Sequence, residues 1–213
     1  MSGELVYGVV ALPVGDDALL LETGSGEQVR ALHAELLRRR AAGTLPAREI
    51  VPAARTVLLD GLPDPAAWAA RLALLTAPPA PPPAAAPVEL PVRYDGPDLA
   101  DVAAHWGVPV AEVARIHSAA EYTVAFCGFT PGFGYLTGLP AAYDVPRRAT
   151  PRTAVPAGAV ALAGPYTGVY PRPSPGGWQL IGSARAVLWD HTRDPAALLA
   201  PGTRVRFVPV GEP

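Results

Sequence analysis

Lysine is absent from this chain: all 17 basic residues among its 213 are arginine. A Walker-type phosphate loop needs its Lys and Schiff-base chemistry needs an amine, so neither can be built here. Cysteine is nearly absent as well. Cys127 stands alone, which excludes an internal disulfide framework and any multi-cysteine metal site, and predicts a reducing compartment. The four histidines (His33, His105, His117, His191) lie too far apart for a zinc spacing, no Gly-x-Ser-x-Gly elbow occurs, and no metal is expected. The opening MSGELVYGVVALPVGDD lacks the basic start and long apolar core of a leader, and no uncharged apolar run reaches bilayer length. The expectation is a cytoplasmic protein with no membrane partner. A net charge of −2 gives no general attraction for nucleic acid or anionic lipid, so any electrostatic recognition is local.

What the chain does have is apolar residues, half of its total, and 21 glycines and 27 prolines. The first of these makes it globular. The prolines mark a boundary: residues 77–87, APPAPPPAAAP, favour extended polyproline geometry and a semi-rigid spacer. Three parts follow, a small α+β domain over 1–76, the linker over 77–87, and a mainly β domain over 88–213. In the first part, strands are expected over Glu4 to Val10, Ala18 to Glu22 and Glu49 to Leu59. Val29, Leu32, Leu36 and Leu37 mark one face of a helix from Glu27 to Arg40, and Pro65 opens a second helix to Thr76.

Beyond the linker, VELPVRY reads as a strand, and its Pro91 points to an edge. Two helices follow, one carrying Leu99, Val102, Ala103 and Trp106, the other Val110, Val113, Ala114 and His117. The pair has the look of a DNA-binding helix-turn-helix, but Arg115 against Glu112 is too little positive charge for phosphate contacts. From Tyr122 onward short apolar runs alternate with Gly and Pro signals: YTVAFCGF, GAVALAG, GWQLIGSA, RAVLWD and RVRFVPV. That spacing predicts a closed or nearly closed antiparallel barrel, with DPAALLAPG as a single short helix before the last strand.

The tract from Phe126 to Ser183 carries the candidate chemistry. Glycine and proline recur every few residues around Arg147, Arg148, Arg152 and Arg172, with Asp144 as its sole acid. Such a backbone brings amides close to a ligand, and guanidinium forks suit carboxylate or phosphate. Arg148 and Arg152, with Thr150 between them, are the preferred anion-gripping pair, read as having no local carboxylate to neutralise them. In FTPGFGYL, the amides of Gly132, Phe133 and Gly134 beside Tyr135 would suit an oxyanion or a flat ring; equally, the aromatics would fill the barrel end. SPGGW, with Gly176, Gly177 and Trp178, carries the same two readings, a ligand lip or a packed turn. His117 is either a general acid or base or a hydrogen-bonded core histidine on the stripe of Val110 and Val113. Cys127 reads as a small buried hydrophobe.

HSAAEYTVAFCGFTPGFGYL, PRRATPRTAVPAGAVALAG, TGVYP and SPGGWQLIG, in that order, resemble the allophanate hydrolase subunit 1 or Kip inhibitor family. GDDALLLE and IVPAARTVLL resemble its first domain. The resemblance implies a cyclophilin-like barrel as the second domain and partner subunits, one of them a related barrel. Bacterial members include one of the subunits of the ATP-dependent 5-oxoprolinase, which implies opening of a small lactam to glutamate with ATP, and Mg, in the assembled complex. On that reading His117, Arg148 and Arg152 are catalytic. Other members imply inhibition of a sensor histidine kinase by direct binding, or the carboxyltransferase part of a urea carboxylase or allophanate hydrolase system. Gly164-Pro165 departs from the family's paired glycines, which removes one backbone donor from that loop.

Overall fold

The computed structural model describes residues 5–6, 8–73, 75–77 and 86–211. The chain divides into two compact units, Met1–Pro82 and Pro83–Pro213. Residues 78–85 of the expected linker lie outside the described residues.

In the first unit, β1 (Leu5–Val6) pairs with β6 (Thr76–Ala77), and β2 (Val10–Val14), β3 (Ala18–Glu22), β4 (Glu49–Pro52) and β5 (Thr56–Asp60) form an antiparallel sheet in the order β2-β3-β5-β4. The single strand expected over Glu49 to Leu59 is a hairpin. Its turn is closed by a bond from the Ala53 amide to Thr56 O, 2.8 Å, and carries no Gly or Asn that would mark it in sequence. Leu19, Leu21, Val57 and Leu59 alternate onto the buried face and meet Val29, Leu32 and Leu36 of α1 (Gly26–Ala41). Leu37, expected on that stripe, is exposed. α1 starts at Ser25, whose hydroxyl accepts from the Gln28 amide while Gln28 Oε1 accepts from the Gly24 amide at 2.7 Å, a reciprocal cap. α2 (Pro65–Leu72) begins on Asp64 and a proline in its first turn.

The second unit is built on a closed seven-stranded barrel. Its strands are β7 (Val88–Arg93), β8 (Tyr122–Cys127), β9 (Gly134–Thr137), β11 (Ala159–Ala163), β12 (Tyr166–Val169), β14 (Gln179–Ala184) and β15 (Arg204–Pro209), in the order β11-β12-β9-β8-β15-β7-β14. β10 (Arg152–Val155) and β13 (Ser174–Gly176) form a separate two-stranded ribbon. An α+β N-terminal domain followed by a mainly β barrel domain is therefore the architecture, as the sequence predicts. Pro91 is not at a sheet edge, since β7 lies between β14 and β15. The pairing with β14 covers only Val92 and Arg93, so at Pro91 itself β15 alone borders the strand and the missing N–H is tolerated.

α3 (Leu99–Trp106) and α4 (Val110–Ala119) lie against β14 and β15. Gly107, at φ 68°, ends α3 in a left-handed cap that L side chains disfavour. Val102, Ala103 and Val113 from these helices join Leu90, Val124, Leu136, Ile181 and Phe207 in the main core. β11 is buried on both faces: Val160 and Leu162 point into that core, Ala159, Ala161 and Ala163 into a second cluster around Phe133 and Trp178. The expected helix over DPAALLAPG does not form. Leu198 N donates to Leu188 O at 2.9 Å and Asp190 N to Ala196 O at 3.0 Å, a hairpin-like return that leaves no i to i+4 ladder, and Asp194–Pro195 is cis. Thr130–Pro131, the sequence's candidate for a cis bond, is trans. Among the described residues no helix is long and apolar enough to cross a membrane.

Candidate functional site

The β8–β9 connection is a tight loop. Gly128 N donates to Phe133 O at 3.2 Å, Thr130 N to Gly128 O at 2.7 Å and Phe133 N to Thr130 O at 3.0 Å. The Phe133 amide is thus committed inside the turn, which removes it as an oxyanion donor. Gly134 pairs with Cys127 and faces Val124 and Leu199, inside the barrel wall. Gly132, at φ 84°, packs so closely on Trp189 that a side chain would not fit. The expected set of convergent amides is therefore replaced by a folded turn that presents one ring: Phe129, with φ 65° and 59% of its surface exposed. A bulky residue in that region of φ is uncommon and marks a constrained position.

Phe133, the hub of this corner, sits edge-on to four rings: Tyr135 (5.1 Å), Tyr170 (5.2 Å), Trp178 (5.4 Å) and Phe129 (5.5 Å). Such edge-to-face packing fixes ring orientation as well as burying area. Above these rings is a hollow of about 140 Å³, whose rim adds Arg147, Pro175, Gly176 and Gly177. Gly176 is required there, because a Cβ would collide with the Tyr170 hydroxyl. Of the predicted ligand-contacting residues, Phe133, Tyr135, Gly176, Gly177 and Trp178 come together at this hollow; Gly132, Gly134 and Thr150 do not line it. Thr150 is simply exposed.

Arg148 and Arg152 do converge, but on a carboxylate of their own chain. Arg148 Nη1 and Arg152 Nη2 each donate to Asp98 Oδ1 at 2.7 Å, and the Leu180 amide donates to Asp98 Oδ2 at 2.6 Å. Asp98 is 2% exposed. It stands at the N-terminus of α3, yet its side chain makes no cap bond there. Burial pushes its carboxyl up, but the hydrogen bonds from Arg152 and Leu180 and the charges of Arg152 and Arg148 outweigh this and hold it below the ordinary value. The reading of two uncompensated guanidiniums is corrected accordingly: two cations share one anion, and both forks are held in a structural network. Arg148 Nε and Arg152 Nη1 are buried without a partner in the chain, so the network retains donor capacity and one net positive charge.

Arg147 is the guanidinium that reaches the hollow. Its neighbours fix it: Gln179 Nε2 donates to Pro146 O at 3.2 Å, and Arg148 N donates to Gly177 O at 2.7 Å. Sequence inspection places Arg147 in the right tract but has no means to rank it above Arg148 and Arg152, because the acid that occupies those two is about 50 residues away.

His117 is a core residue. It is 0% exposed, with Nδ1 2.8 Å from Tyr94 Oη and Nε2 3.3 Å from Thr167 Oγ1, and rings of Tyr94, Tyr122 and Phe207 around it. Burial lowers its pKa to about 3, so the imidazole is neutral and has no route to a substrate. The catalytic assignment is withdrawn for this reason. Cys127 is half-buried rather than buried as expected; it donates to Leu199 O at 3.1 Å, and burial pushes its thiol up to about 11. Among the described residues no three His, Cys, Asp or Glu side chains come together.

The family model of the carboxyltransferase domain, subdomain C and D, matches residues 9–199. The chain belongs to this family. Relatives named as a subunit of 5-oxoprolinase are similar to it: 55% identical over 128 residues in Escherichia coli O157:H7, and 44% over 128 in Bacillus subtilis (strain 168). These matches span 59% of this chain and 59% and 53% of the two relatives. Among solved structures, TTHA0988 is 38% identical with a TM-score of 0.75, covering 92% of this chain and 41% of that one. The conserved uncharacterized protein PH0987 from Pyrococcus horikoshii is 32% identical, TM-score 0.57, covering 95% and 98%. The K. lactis urea amidolyase, 19% identical over 98% of this chain and 15% of its own, TM-score 0.71, shares the fold alone.

Proposed function

We propose that this chain is a cytoplasmic subunit of a 5-oxoprolinase, a hydrolase complex that opens 5-oxoproline to L-glutamate with hydrolysis of ATP. The observation that carries the reading is the 44–55% identity to proteins named as a subunit of 5-oxoprolinase. The hollow agrees in kind: it is small, walled by aromatic rings and rimmed by a guanidinium, which suits a compact ring bearing a carboxylate.

A nucleotide does not fit this hollow: the chain has no Lys for a Walker-type loop, and a volume of about 140 Å³ is well below the size of pockets that hold larger ligands. On this reading much of the ATP site comes from the partner subunits, one of them a related barrel. This chain's share is to bind and orient the lactam and to exclude water from its ring face. With His117 sealed in the core and Arg148 and Arg152 tied to Asp98, none of the three residues expected to be catalytic is free to move a proton.

The test is reconstitution. The chain co-purified with its candidate partner subunits should form glutamate from 5-oxoproline only when ATP is supplied, and the chain alone should show negligible turnover. Turnover by the purified chain alone, or an assembled complex inert toward 5-oxoproline with ATP, would refute the reading.

A further inference from the structure

We propose that Arg147, held at the rim of the Phe133–Trp178 hollow, is the residue that grips the carboxylate of a small planar ring acid bound there. The substrate class rests on the function proposed above; the assignment of Arg147 rests on geometry alone.

Three features separate Arg147 from an ordinary surface arginine. Its backbone is pinned on both sides, by Gln179 to Pro146 O and by Arg148 N to Gly177 O, so the side chain leaves from a fixed point. Its guanidinium forms no hydrogen bond, ion pair or ring stack with any described residue, whereas Arg148 and Arg152 are occupied by Asp98. It also shares the hollow with two phenols, Tyr135 and Tyr170, whose hydroxyls have no hydrogen-bond partner among the described residues. Burial raises the pKa of both phenols and the Arg147 charge pulls against it, as a cation close to both hydroxyls would.

The chemistry of the ligand follows from these parts. Exposed Phe129 and half-buried Tyr135, held in place by the buried Phe133 and Trp178, offer ring surface to a flat ring of few atoms, and a fork with a fixed origin accepts a carboxylate by two parallel N–H bonds. The unpartnered phenol O–H groups can donate to a ring carbonyl or to the second carboxylate oxygen.

The experiment is calorimetric titration of the whole chain with 5-oxoproline and with its neutral carboxamide. Arg147→Gln should weaken binding of the acid by about tenfold or more, as expected for loss of a charged hydrogen-bonded contact, and leave the carboxamide unaffected. Arg147→Lys should recover part of the loss. The variant's unfolding midpoint should match that of the parent, because the side chain is exposed. Equal affinity of Arg147→Gln and parent for the acid, or no binding of the acid by the parent, overturns the assignment. Arg147-dependent binding of the acid beside an assembled complex that does not turn it over would leave this site standing and remove the oxoprolinase reading instead.

Discussion

Asp98 Oδ1 accepts 2.7 Å bonds from both Arg148 and Arg152, joining the start of α3 to a segment about 50 residues later in the chain. Arg152 pairs with Gly176 across the β10–β13 ribbon, so the same carboxylate also secures one wall of the aromatic hollow.

Removing that carboxylate should be costly. Asp98→Ala leaves two guanidiniums facing each other and the Leu180 amide without its acceptor. We expect a loss of about 3 kcal/mol, toward the low end for a broken buried pair because both arginines keep some contact with water. Urea denaturation of the purified chain measures it. A loss below about 0.5 kcal/mol, the level of a neutral surface change, would show that the network contributes little.

Acid should act through the same residue. The folded pKa of Asp98 lies below its ordinary value, so its contribution is complete above about pH 4 and disappears as pH falls through the folded value. The parent should therefore lose stability below about pH 4 more steeply than Asp98→Asn, and parallel curves would contradict the assignment.

His117 gives a second test of the same sign in a higher pH window. Its folded pKa of about 3 lies below the ordinary 6.5, so between these values the unfolded chain binds a proton that the native chain does not. Stability should fall as pH drops through this window, by about 2 kcal/mol from this residue at about pH 5. His117→Gln should flatten the curve between about pH 6.5 and 4, and in an active complex it should leave the pH dependence of kcat unmoved. A displaced kcat profile would return His117 to the chemistry.

Gly176 and Tyr170 offer a paired test of the hollow's rim. Gly176→Ala puts a methyl against the Tyr170 hydroxyl and should destabilise the chain by about 1–3 kcal/mol, the usual range for overpacking. Adding Tyr170→Phe deletes the colliding oxygen and should recover much of the loss in a double-mutant cycle. Additive losses would mean that the two residues do not meet.

The sequence revealed what is local. The capped, amphipathic α1 and the strands with Gly punctuation lie close to their expected places, because periodicity and turn chemistry act within a few residues. The Gly/Pro-rich tract does hold the hollow, with Phe133, Tyr135, Gly176, Gly177 and Trp178 at it. The Ala53-Ala54 turn is hidden because it uses no special residue, and DPAALLAPG misleads because its helical composition is overridden by pairing across Leu188 and Leu198. Asp98 is invisible as a partner: nothing at the start of α3 indicates which arginines it will meet. That one non-local contact inverts the ranking of Arg147, Arg148 and Arg152.

A co-crystal of the chain with 5-oxoproline shows which guanidinium holds the carboxylate. Ring density is expected against Phe129 and Tyr135 with the carboxylate on Arg147, and Asp98 still bonded to Arg148 and Arg152. Density for the carboxylate on Arg148 and Arg152, with Asp98 displaced, would contradict it.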